Sequence, residues 1–281
     1  MSAWMSAWTL PRRAARRAVA GATAALMTVS LGAAAGPAAA DHTNGPAGPV
    51  HAGNTYGWYY DGGLVYDETF VGPLAGRWDV EGRGVVQNQN GMLTLNTAGR
   101  GTVSATLMRP GQAYGRWETR LRQRQYGRGN TPYRVLTELV PVTAKSEGCG
   151  EQNIALNRFT MGRDELDVYV RTRPDRLYQS SMRRSFGQDQ WHTFAVEVTP
   201  KRISWFVDAH VVRTETRPKA LSGRKFQVRF TMLAAKGERM NKARMQMDWL
   251  RYWTLHAKNA RSTQAPRLTK STYGGSCAAG R

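Results

Sequence analysis

From Leu64 onward the chain is written in short segments whose apolar residues recur at every second position. "FQVRFTML" sets Phe226, Val228, Phe230 and Met232 against Gln227, Arg229, Thr231 and Leu233. "GMLTLNT" does the same with Leu93, Leu95 and Thr97 against Met92, Thr94 and Asn96, and "WHTFAVEVTP" with His192, Phe194, Val196 and Val198 against Trp191, Thr193, Ala195 and Glu197. "ISWFVDAHVVRTE" reads as two strands around a tight turn at Asp208 to His210, and "MQMDWLRYW" closes the set. Side chains alternate between the faces of a strand, whereas a helix repeats every 3.6 residues. With β-branched and aromatic enrichment and turn signals roughly every ten residues, the pattern predicts an antiparallel all-β domain. So many half-apolar strands are satisfied by two stacked layers, so a two-sheet β-sandwich is expected.

The two ends do not share this pattern. Arg12, Arg13, Arg16 and Arg17 precede an alanine-rich apolar run, Ala18 to Leu31, and Ala38-Ala39-Ala40 offers a cleavage site before Asp41. That layout predicts an export signal over 1–40 and a secreted product. The apolar run is short for a membrane span, so no membrane association is expected after cleavage. The adjacent arginines leave a folded-export route open, and the repeat "MSAWMSAW" offers both Met1 and Met5 as starts. Residues 41–63, rich in Gly, Pro, Asn and aromatics, read as an extended N-terminal arm, 64–255 as the sandwich, and 256–281 as a surface tail.

Charge and cysteines limit the chemistry. The leader carries four of the 40 basic residues and none of the 20 acids, which leaves the remainder at net +16. Such an excess favours anionic partners, whether acidic polysaccharide, cell-wall polymer or nucleic acid, or else serves solubility alone. No nucleic-acid motif is visible. Cys149 and Cys277 are the only cysteines, and in an oxidising compartment the expectation is one disulfide tying the tail to the loop before Glu151. Two cysteines without neighbouring histidines do not make a zinc site, and neither metal nor cofactor is expected. A monomer is expected.

Four landmarks in order carry a resemblance: "YDETFVGPLAGRWDVEGRGVVQNQNGMLTLNT", "AYGRWETRLR", "QWHTFAVEVTPKRISWFVDAHVVRTET" and "MQMDWLRYW". Over roughly 64–255 the chain resembles glycoside hydrolase family 16. The resemblance implies a concanavalin A-like jelly roll acting on β-glucans or galactans. In that family one strand carries a glutamate, an aspartate two positions on, and a second glutamate two or three positions later. Alternate strand residues share a face, and a bulge accommodates the longer spacing. Retaining hydrolysis needs a nucleophilic carboxylate and a protonated acid about 5 Å apart. In "GCGEQNIALNRF" the resemblance puts Glu151 on the nucleophile and Asn153 on the assisting aspartate. The acid/base falls on Ala155 or, in the bulged spacing, on Leu156, and neither side chain holds a proton to give.

Other residues compete for these roles. "DELDVYV" offers Glu165, Asp167 and Tyr169 at the family spacing, although Glu165 then falls on the following strand. Glu138 in "VLTELVP" shares a strand face with Arg134 and Leu136, and is either a relocated acid or the partner of an arginine. Glu147 reads as solvated, and His192 as a core or rim residue. Tyr133, Arg134, Trp249 and Trp253 are the substrate-binding candidates, with Tyr169, Trp58, Tyr59 and Tyr60 as further aromatic platforms. Three functions follow: a secreted polysaccharide-binding protein of decayed chemistry, an active glycosidase using Glu151 and a relocated acid such as Glu138, or a cationic cell-wall binder.

Overall fold

The structure is a computed structural model that describes residues 50–142, 152–172 and 176–273. Among the described residues there are sixteen strands. The first eight are β1 (Leu64–Glu68), β2 (Trp78–Gly82), β3 (Val85–Gln89), β4 (Met92–Thr97), β5 (Val103–Leu107), β6 (Gly115–Gln125), β7 (Arg134–Pro141) and β8 (Asn153–Thr160). The rest are β9 (Leu166–Thr172), β10 (Arg176–Met182), β11 (His192–Val198), β12 (Ile203–Val207), β13 (His210–Glu215), β14 (Phe226–Leu233), β15 (Ala243–Trp253) and β16 (Lys270–Tyr273).

They form two antiparallel sheets, confirming the sandwich. Sheet A runs β13-β12-β11-β6-β15-β4-β3, with β1 beside the far half of β15; sheet B runs β16-β10-β9-β8-β7-β14-β5-β2. Each apolar set of the alternating segments faces the other sheet: Leu93, Leu95, Phe194 and Val196 from sheet A meet Val135, Leu139, Val168, Phe230 and Met232 from sheet B in one buried core. Each such side chain contributes about 1.5–3 kcal/mol by leaving water. The β12–β13 turn needs positive φ at Asp208 and Ala209, 47° and 62°, which matches the twist of a two-residue hairpin.

The arm differs from its expected extended form. Residues Ala52–Thr55 make one helical turn, α1, and Tyr60–Gly62 a 3-10 turn. Together they bury Ala52, Tyr56 and Trp58 against Ala195, Phe206 and Trp253 on the outer face of sheet A. Gly53 is required there, because a Cβ would come within 2.9 Å of the Trp253 ring. This cover explains why Thr193, Ala195 and Glu197, the outward set of β11, are buried too. The tail also differs from expectation: β16 pairs with β10, and Glu197 receives Asn259 Nδ2 at 2.7 Å. The leader, Cys149 and Cys277 lie outside the described residues.

Candidate functional site

The site is built on the face of sheet B that points away from the core, where β7, β8 and β9 lie side by side. Thr137 pairs with Asn157, but Glu138 pairs with Ala155, so Leu156 is an extra residue in β8. The bulge separates the two acid/base positions. Ala155 stays on the outer face in contact with Leu136 and Tyr169, whereas Leu156 turns into the core. A bulge frees a backbone group from the ladder, and here the Ala155 carbonyl accepts the Trp205 indole N–H from sheet A at 2.8 Å.

Glu138 is the centre of the cluster and is 1% exposed. Its Oε1 accepts the Tyr169 hydroxyl at 2.7 Å and the Asn153 side-chain amide at 2.5 Å. Its Oε2 accepts Arg229 Nη2 at 3.0 Å, across the register pair Glu138–Arg229. An ionised carboxylate accepts all of these bonds, whereas a protonated one would turn a donor towards one of them. Burial, and then the Glu138 charge, hold the Tyr169 hydroxyl well above its ordinary range, so it remains a donor. Next to it, Arg158 donates to Asp167 at 3.0 and 2.7 Å, and Ser181 donates to the other Asp167 oxygen.

The structure thus brings Asn153, Glu138, Ala155, Asp167 and Tyr169 onto one face. Glu151, the nucleophile position, lies outside the described residues, as does Glu147. Glu165 is exposed and precedes β9, so the "DELDVYV" alternative does not place three groups on one strand. Arg134 is exposed at the start of β7 on the Glu138 face.

Three substrate-binding expectations are corrected by burial. Tyr133 is fully buried in the main core with its hydroxyl on the Gly101 carbonyl at 3.0 Å. Trp249 and Trp253 are fully buried under the arm, Trp249 against His51 at 5.6 Å and Trp253 against Trp58 at 5.4 Å. None offers a ring face to a ligand, and Trp58 and Tyr59 sit on that same side of the molecule, away from Glu138. His192 lies at the edge of the core, bonded through Nδ1 to Asp208 at 3.0 Å and edge-on to Phe186.

The residue missed in the sequence is Arg229. Its only signal was the alternation of "FQVRFTML", which puts it opposite the core residues without saying which strand it would face. Among the described residues no group of His, Cys, Asp and Glu is arranged to hold a metal ion.

The family model for glycosyl hydrolases family 16 matches residues 77–251. Solved structures of similar fold include a laminarinase from Flavobacterium sp. UMI-01, 14% identical with a TM-score of 0.53, covering 68% of this chain and all of that one. The laminarinase catalytic domain from Thermotoga maritima is 10% identical with a TM-score of 0.55, covering 69% of this chain and 98% of that one. The β-glucanase of Bacillus licheniformis is 16% identical with a TM-score of 0.50, covering 69% and 99%. At these identities the likeness is one of fold. No curated protein matches the chain.

Proposed function

Because the chain belongs to glycosyl hydrolase family 16, we propose that it is a secreted protein that binds an extracellular polysaccharide at the outer face of sheet B, with the family's acid/base chemistry lost. The observation that carries this is Ala155, which stands on the outer face opposite Glu138 where a proton donor is needed and contributes only a methyl group. Glycoside cleavage without general acid help is slower by about 10² to 10⁴. Glu138 does not replace it, because Tyr169, Asn153 and Arg229 already donate to its carboxylate. Proteins of similar fold are by name laminarinases, a β-glucanase and an endo-β-galactosidase, which makes β-glucans and galactans the first ligands to try. In this reading the protein is a monomer without cofactor, freed from its leader, and does not depend on membrane or nucleic acid.

The test is reducing-sugar release from β-1,3-glucan, mixed-linkage glucan, agarose and carrageenan by the protein and its Glu151→Gln variant, with pull-down on the same glycans. Pull-down of a glycan without sugar release is the expected result. Release that vanishes in Glu151→Gln would establish an active retaining glycosidase with its acid supplied from elsewhere, and would overturn the proposal.

A further inference from the structure

We propose a second, anion-binding site at one end of the sandwich, which takes the acidic substituent of a polysaccharide, a sulfate ester or a carboxylate. The turns β2–β3, β4–β5 and β14–β15 meet there around a pocket of about 630 Å³. Arg83, Arg100, Lys236 and Arg239 line it, with Glu238 as the only acid. Glu238 accepts a bond from the Thr131 hydroxyl at 3.3 Å.

Two observations set this pocket apart from the general basicity of the chain. Many arginines elsewhere, though not all, are matched to acids, among them Arg116 with Glu197, Arg158 with Asp167, Arg217 with Glu215, Arg229 with Glu138 and Arg244 with Asp189. Among the described residues none of the four pocket cations forms an ion pair. Like charges gathered around one depression repel, and an anion between them removes that repulsion.

The backbone beneath them is also fixed. The Arg83 N–H donates to the Thr102 carbonyl at 2.7 Å, and the Ala234 N–H to the Thr102 hydroxyl at 3.1 Å, so the three turns are tied together. Gly82 has φ +94°, and a Cβ there would come within 2.0 Å of the Thr102 oxygen; at Gly101, φ +72°, it would meet the Arg83 side chain at 2.9 Å. The close approach of these turns therefore depends on glycine at both positions.

The pocket volume falls in the range of sites that take one small molecule. It suits a substituted sugar better than an extended nucleic-acid backbone. That the anion is borne by a glycan rests on the function proposed above; that it is an anion does not. All four cations are exposed, so each is screened singly and the site acts through their number.

The test is calorimetric titration of the protein with a sulfated galactan, polygalacturonate, neutral β-1,3-glucan, polyphosphate and single-stranded nucleic acid, each at low and at physiological salt. Two variants of equal charge are compared: R100Q/K236Q in the pocket and K201Q/K258Q at exposed positions elsewhere. The pocket variant is expected to bind the acidic glycan at least about tenfold more weakly, with a shallower salt dependence, while the control stays within about twofold. The sulfated and carboxylated arms show which substituent the site takes. Loss of neutral-glycan binding alone would count against the sheet B face and leave this site standing. Equal weakening by both variants would reduce the effect to diffuse charge and overturn the site. Pocket-dependent binding of polyphosphate or single-stranded nucleic acid, with no binding of either acidic glycan, would overturn the glycan.

Discussion

Asn153 donates its side-chain amide to the Glu138 carboxylate at 2.5 Å, joining β8 to β7 on the face that carries Ala155. The two positions are matched to each other. Where the family resemblance calls for an aspartate at 153, this chain has an amide, and the amide is what a buried glutamate at 138 needs. An acid at both positions would put two carboxylates in contact with 1% and 3% exposure. The amide at 153 and the glutamate at 138 are therefore tied to each other through one hydrogen bond.

An aspartate placed at 153 is accordingly expected to destabilise the protein. In Asn153→Asp two carboxylates share one buried site, so the pair retains a proton to higher pH in the folded chain than in the unfolded one. A folded value raised above the unfolded one gives a penalty that is small in acid and grows as pH rises. A loss of about 2 kcal/mol or more at pH 8, shrinking towards pH 4, is expected from urea unfolding. An equal loss at both pH values would mean that the carboxylates do not interact.

Tyr169→Phe removes one donor from Glu138 and keeps the ring. The remaining bonds, from Asn153 and Arg229, hold the carboxylate but leave one bond unmade in a buried place. A loss of about 1–3 kcal/mol is expected. An unchanged denaturation midpoint would show that the hydroxyl does not contribute.

Glu118 on β6 is fully buried and accepts the backbone N–H groups of Ala52 at 2.5 Å and Gly53 at 2.9 Å, which anchor the arm. His51 lies 3.9 Å away, and Arg251, Tyr59 and Asp208 also act on it. Burial outweighs the two amides and raises its carboxyl to about 7. The folded value exceeds the ordinary one, so this group's contribution is full below pH 4.5 and is lost as pH rises through about 7. The span corresponds to about 3 kcal/mol. Glu118→Gln is expected to lack that decline, so the stability difference between parent and variant should change across this window. Parallel pH profiles of the two proteins would refute the assignment.

Trp205→Phe tests the bulge. It removes the indole N–H that meets the Ala155 carbonyl, which costs about 1–3 kcal/mol for a buried acceptor left alone. Faster amide exchange is expected in β8 around Ala155 to Asn157. If exchange rises equally in all strands, the bond has no local role at the bulge.

The sandwich and its core were legible in the chain's own residues, because period-two alternation fixes which side chains share a face: Phe226, Val228, Phe230 and Met232 lie together in the core as their spacing requires. It also brought Asn153 and Glu138 into consideration through the family's strand order. Alternation says nothing of what covers a face or of which strand lies opposite. Trp249 and Trp253 therefore read as sugar platforms, whereas the arm packs over both. The bulge at Leu156, the pairing of Glu138 with Arg229 and the meeting of Arg83, Arg100 and Lys236 each depend on register between segments far apart in the chain. Register is set by the packing of the whole sandwich, which no single segment encodes.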